Sequence, residues 1–190
     1  MTVENIFKNS KRKSTPLDFI VDELTKSIEL SATSERFETT ILPFEKTDLP
    51  SVSQRAGWKF DWEKEFAAGA GIYKLVTKKE PEVIQGLAIF VDEPGFVLMH
   101  LLESAPFNVG KGKKFIGVAG NLVAFGCLLS RKRGFQSVLA FKSKTVLMEH
   151  YQKSLGARPI GNQRMAIFEA EAADLINRYF PNATPQGELE

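Results

Sequence analysis

Residues 111–134 constrain this chain more than any other stretch. A basic, glycine-bearing loop there runs straight into sixteen residues without a charge, from Phe115 to Ser130. An uncharged run of that length predicts a helix buried on most of its circumference rather than along one stripe. Arg131, Lys132 and Arg133 would sit on its last turn, with Gly134 as the residue that ends it. At its start, the first-turn N–H groups have no partner inside the helix, and Gly117, Ala119 and Gly120 leave little bulk above them. Lys111, Lys113 and Lys114 add formal charge beside that end, so an anion is expected there.

Two common phosphate-binding patterns do not fit. A P-loop needs Lys followed by Ser or Thr directly after its second glycine, whereas Gly117 is followed by Val118 and Ala119. A dinucleotide fingerprint begun at Gly110 and Gly112 needs a third glycine where Phe115 stands, and no series of strand–helix–strand units surrounds it. The run Lys114, Phe115, Ile116, Gly117, Val118, Ala119, with Leu122 three residues on, resembles the coenzyme A pyrophosphate loop of the GNAT superfamily of N-acyltransferases. Lys114 stands where that pattern carries Arg or Gln.

The order of expected elements supports the resemblance. Residues 14–30 have Leu17, Ile20, Val21, Leu24 and Ile28 at helical spacing after Pro16, and predict an amphipathic helix. A first strand is expected near residues 37–42, then loops and a short helix at 61–66 beside the aromatic knot of Trp58, Phe60 and Trp62. Strands at 72–77, 83–91 and 96–103, separated by Glu80-Pro81-Glu82 and Asp92-Glu93-Pro94-Gly95, form an antiparallel meander. After the central helix come a strand at 135–143, a helix at 144–155 stopped by Gly156, a strand at 163–168 and a helix at 171–180. The expected fold class is α/β in the mixed α+β sense: a central, mostly antiparallel sheet of six to seven strands flanked by helices, GNAT-like over about residues 36–168. The resemblance implies that the strands at 96–103 and 135–143 splay apart around the pantetheine arm. The paired helices usual after the first GNAT strand are not evident in residues 47–69, and residues 104–112 make a long connection.

With 190 residues, 43% apolar and 25% charged, one domain is expected over residues 15–180, between a basic arm (1–14) and a loose tail (181–190). A formal charge of +2 argues against nucleic acid as a partner of the whole surface, although Lys8, Lys11, Arg12 and Lys13 cluster in the arm. The single cysteine, Cys127, excludes an intrachain disulfide and lies in the apolar run as a packed small hydrophobe. No signal-like or membrane-spanning run is found, so a cytoplasmic protein without a membrane partner is expected.

The resemblance implies acetyl-CoA as co-substrate, held by Leu101, Leu102, Lys111, Lys114, Phe115, Ile116, Gly117, Val118, Ala119, Gly120 and Asn121. It also implies transfer to an amine on a small molecule or a protein, with Glu103 as general base and Tyr151 as the acid that protonates the leaving thiolate. Read from the residues alone, Glu103 shares a strand face with Leu101 and Met99 and is either that base or a strand-end carboxylate in water. Tyr151, flanked by Leu147 and Leu155, is equally readable as a core tyrosine with its hydroxyl satisfied. His100 and His150 do not read as catalytic, and no metal site is expected from two histidines and one cysteine at unrelated spacings. Trp58, Phe60 and Trp62 are core or the wall of an acceptor pocket, and Asn108 is a turn residue or a substrate contact. An acetyltransferase, a non-catalytic module of the same fold that binds acyl-CoA or a protein partner, and a nucleic-acid-associated protein are the competing classes. A homodimer is one assembly state left open.

Overall fold

The computed structural model describes residues 14–183. The expected basic arm, apart from Ser14, and residues 184–190 of the expected tail lie outside the described residues. Strands β1 (Ile28–Leu30), β2 (Arg36–Phe37) and β3 (Thr39–Pro43) lead to helix α1 (Trp62–Ala67) and to the meander β4 (Ile72–Thr77), β5 (Ile84–Glu93) and β6 (Phe96–Ser104). Then follow β7 (Phe115–Ile116), α2 (Val118–Lys132), β8 (Leu139–Lys142), α3 (Met148–Leu155), β9 (Arg158–Pro159), β10 (Arg164–Ile167) and α4 (Glu169–Tyr179). The main sheet has seven strands in the order β3-β4-β5-β6-β8-β10-β9, and β2-β1-β7 form a small second sheet. Every neighbouring pair is antiparallel except β6 and β8, which run parallel. This is the mixed, mostly antiparallel, GNAT-like order that the sequence implies.

Helix α2 forms where the uncharged run predicts it and is buried almost throughout. It lies close on the sheet because two glycines face each other's elements. A Cβ on Gly86 of β5 would stand 2.8 Å from Val118 and 3.0 Å from Leu122, and one on Gly126 of α2 would stand 2.6 Å from Phe90 and 2.9 Å from Leu139. Phe115 and Ile116, expected in the glycine loop, are instead the edge strand β7, paired with Leu30 and Glu29 of β1.

The N-terminal helix expected over residues 14–30 does not form, and this is the main correction. Residues 17–27 run as an extended strap. Leu17, Phe19 and Val21 are buried while Asp18, Ile20 and Asp22 face outward, a period of two rather than of 3.6. The helical spacing of Leu17, Ile20, Val21, Leu24 and Ile28 is accidental, and Ile20, which a helix would have buried, is 55% exposed. The expected first strand is also split, β2 going to the small sheet and β3 to the edge of the large one.

A β-bulge corrects a third expectation. Ile89 of β5 lies opposite Leu101 but Phe90 opposite Met99, so His100 is an extra residue on β6. Leu101 stays on the face of Glu103, whereas Met99 crosses to the face of Phe90, which packs on α2. Elsewhere boundaries move by a few residues. The strand expected at 135–143 shrinks to β8, because Gln136 and Ser137 take positive φ in the turn after α2.

Gly126→Ala tests the helix–sheet contact. Alanine favours a helix by about 0.8–1.0 kcal/mol, but overpacking against Phe90 and Leu139 costs about 1–3 kcal/mol. The variant is expected to unfold at lower urea with an unchanged m value, and a stabilised variant would show that the contact can relax.

Candidate functional site

The site starts from a gap in the sheet. β6 and β8 pair only at Val97 with Leu139 and Leu98 with Ala140, and beyond that the two strands diverge. The β8 groups that point toward β6 would be left unpaired, but Leu17 takes the vacated position. Its N–H donates to Lys142 O at 2.8 Å, and its carbonyl accepts from Lys144 N at 3.0 Å. The other edge of β8 stays with β10, where Ser143 N–H donates to Gln163 O. The strap therefore continues, for one residue, the strand that β6 abandons.

From there the strap is held by helix side chains. Tyr151 donates its hydroxyl to Phe19 O at 2.8 Å, Val21 N–H donates to His150 Nε2 at 3.0 Å, and Thr25 N–H donates to the Tyr179 hydroxyl at 3.2 Å. Arg178 donates to Leu24 O at 3.0 Å. Three cations secure the acidic side chains that face outward. Asp18 pairs with Lys59 at 2.8 Å and with Lys144, and Asp22 pairs with Lys113. Burial acts to raise the Asp18 carboxyl, but hydrogen bonds from Lys144 and Lys59 and their charge outweigh it and hold the group below the usual carboxylate range.

Between strap, β6 and the loops lies an open crevice of about 650 Å³. Asp18, Phe19, Ile20 and Asp22 form one wall; Leu102, Glu103 and Lys59 are on another, with Asn108, Val109 and Lys113 at the rim. Glu103 lies at the end of β6. It accepts from the backbone N–H groups of Lys59 and Phe60, the latter at 3.2 Å, and from Trp62 Nε1 at 2.8 Å. The carboxylate thereby ties the aromatic knot to the sheet. Trp58 and Trp62 are buried core residues in edge-on contact, and only Phe60 of the three lines the crevice. Asn108 is a clasp: its Nδ2 donates to Gln85 O and Oε1 at 3.2 and 3.0 Å, and its Oδ1 accepts from Phe115 N–H at 3.1 Å.

The helix start expected to hold an anion lies beneath the strap. Gly117 caps α2 with φ +86°, and a Cβ there would stand 2.7 Å from Ser27 O and collide with the Thr25 hydroxyl. Phe115, Val118, Ala119, Gly120 and Asn121 are buried, and Asn121 donates to the Thr39 hydroxyl at 3.0 Å. Lys111 is exposed; Lys114 lies 4.0 Å from Glu80 and over the Phe115 ring. Leu102 lines the crevice, while Leu101 is buried on the face of Glu103. Tyr151 is wholly buried and separated from the crevice by Phe19, whose ring lies 4.7 Å from its own. Burial pushes its hydroxyl above the ordinary tyrosine range, with the nearby Asp18 charge acting in the same direction. Cys127 is fully buried, and burial raises its thiol.

Sequence reasoning misses Asp18, Phe19, Asp22, Thr25, Lys59 and Lys144. The one available signal is the alternation of Leu17, Asp18, Phe19, Ile20 and Val21, which the helical spacing masks. Among the described residues, no group of three His, Cys, Asp or Glu could hold a metal ion.

The fold and site define a mixed α/β domain in which residues 17–27 form one wall of the central crevice and cover the start of α2. Neither a protein-family model nor a curated protein matches the sequence. Among solved structures the chain is similar to the ribosomal-protein-S18-alanine N-acetyltransferase from Escherichia coli, with 20% identity over 68% of this chain and 92% of that one and a TM-score of 0.48.

Asp18 gives a pH test of the strap. A carboxyl whose folded pKa is lowered contributes stability that is present above its ordinary value, 3.8, and is lost as pH falls through the folded value. Urea unfolding between pH 5 and pH 2 should show a loss in the native protein that is smaller in Asp18→Asn. Parallel pH curves would remove Asp18 from the account.

Proposed function

We propose that this chain is an acetyl-CoA-dependent N-acetyltransferase that acetylates an amine, on a small molecule or a protein, in the cytoplasm. Two observations carry this reading: the parallel pair β6 and β8 diverges after two residues, and a crevice of about 650 Å³ beside the strap has Glu103, at the end of β6, on its wall. A mixed sheet that parts at the joint of β6 and β8 leaves backbone groups of β8 to a partner outside the sheet, here Leu17, and an extended ligand could take the same place. Among the described residues no helix is long and apolar enough to cross a membrane.

In the closed state the residues do not fit coenzyme A. Leu17 fills the backbone position on β8, and Thr25 and Ser27 cover the glycine start of α2. The acceptor side is more complete. Glu103 carries three N–H donors on a carboxylate with about four lone-pair sites, so one site remains for an amine proton. Those donors also fix the carboxylate in place, as a positioned base requires. Tyr151 can donate to a leaving thiolate only after Phe19 O gives up its hydroxyl.

The second reading is a non-catalytic module of the same fold that binds an acyl-CoA or a protein partner. It is favoured by the way both expected catalytic groups are already satisfied, Glu103 by the aromatic knot and Tyr151 by the strap.

Free thiol released from acetyl-CoA separates the two. The test offers small primary amines and peptides bearing an α-amino group or a lysine. Amine-dependent release is expected, and Glu103→Gln should lower kcat by about 10²–10⁴-fold while the thermal shift given by coenzyme A persists. The same substitution turns an amide toward three N–H donors and should cost about 1–3 kcal/mol of stability, so rates are compared where both proteins are folded. A thermal shift without release supports the module, and neither shift nor release overturns both coenzyme A readings.

A further inference from the structure

The strap is attached differently from the elements around it. Leu17 makes its sheet-like contact through two backbone bonds, one to Lys142 at the end of β8 and one to Lys144 just beyond it. From Phe19 to Thr25 the backbone is held by the side-chain ends of Tyr151, His150, Arg178 and Tyr179, borne on α3 and α4. Its acidic side chains reach Lys59, Lys113 and Lys144, which belong to three other loops. Such clasps release one by one by side-chain rotation, whereas a sheet ladder opens only when a whole strand leaves. Leu17, Phe19 and Val21 meanwhile bury their apolar side chains, which favours the docked position.

Its path also matters. In one extended run it fills the backbone position on β8, forms a wall of the crevice, screens the Tyr151 hydroxyl and covers Gly117 at the start of α2. These are four separate surfaces, and one segment blankets all of them. The helix start beneath it keeps a polar atom waiting: the Asn121 Oδ1 is buried without a hydrogen-bond partner, although its Nδ2 is bonded to Thr39. The close approach of Thr25 and Ser27 accounts for Gly117, but not for the unpartnered amide oxygen of Asn121.

We propose that residues 17–27 are an intramolecular occupant that opens as a unit, without unfolding the domain, and that acyl thioester reaches the edge of β8 and the start of α2 only when this strap leaves. The entry step rests on the acetyltransferase reading; the separate opening does not. The device is a competition inside one chain, in which anything that captures the released segment turns the site on.

Two variants test it in the full chain. Val21→Cys places a thiol in the strap, and Cys127, fully buried in α2, is the internal reference for global unfolding. Under native conditions the strap thiol is expected to react with a thiol reagent at least about tenfold faster than Cys127, with little dependence on added urea. Equal rates with equal urea dependence would show that the strap opens only when the domain unfolds, and would overturn the proposal. Saturating coenzyme A should speed labelling of the strap thiol further; a thermal shift from coenzyme A with slowed or unchanged labelling would overturn the entry step. Leu17→Cys with Ser143→Cys joins two residues that face each other across the parallel bridge, within the span a disulfide accepts. The oxidised form should lose the coenzyme A thermal shift and the reduced form should regain it; equal shifts in both forms would also overturn the entry step. Should coenzyme A shift neither form nor the native protein, the acetyltransferase reading fails, and the labelling of the strap thiol relative to Cys127 alone decides whether the strap is a separately opening element.

Discussion

Everything at the centre of this molecule depends on one shortage of hydrogen bonds. β6 and β8 pair over two residues and then part, and the backbone groups of β8 beyond Ala140 must find another partner or lose the protection that sheet pairing gives. An unsatisfied buried backbone group costs about 1–3 kcal/mol, and Leu17 meets that demand by lying on the vacated edge. Once Leu17 is there, the chain that follows is committed to a path across the crevice and over the start of α2, and the charges along it must be matched. Lys59, Lys113 and Lys144 supply that match to Asp18 and Asp22. Lys113, one of the three lysines expected to serve an anion at the helix start, is thus paired with the strap.

The same constraint separates the parts of the structure that are legible in the sequence from those that are not. The meander β4 to β6, helix α2 and the stop at Gly156 follow from local patterns, because period, turn residues and caps are all written within a dozen neighbouring positions. The strap is not legible, since its conformation is set by β8, more than a hundred residues away, and by side chains of α3 and α4. Five apolar residues at helical spacing outweigh the alternation of Leu17, Phe19 and Val21, although tertiary partners decide between two such periods. Simple alternation puts Met99 on the wrong face for a related reason. One extra residue at His100 reverses the alternation, and nothing in the residues of β6 alone announces it.

The site is half legible. The glycine start of α2 and Glu103 stand where the spacing puts them, but their surroundings come from contacts that no local pattern records. Glu103 is bound to the aromatic knot of residues 58–62, so one side chain both fastens a loop and faces the crevice. Tyr151 is packed against Phe19 and Phe141 and bonded to the strap carbonyl. Both residues are held by partners that could also position them for chemistry. Of the two, only Tyr151 is bonded to the strap itself.

The proposed competition sets the strap against an acyl thioester for the same surfaces. Amide hydrogen exchange with and without saturating coenzyme A measures this directly, since Leu17, Val21 and Thr25 each hold their N–H in a bond that opening would break. Coenzyme A is expected to lower protection at these three amides while raising it at Val118, Ala119 and Gly120. Protection that rises across residues 17–27, or that stays unchanged at both places while coenzyme A is bound, would contradict it.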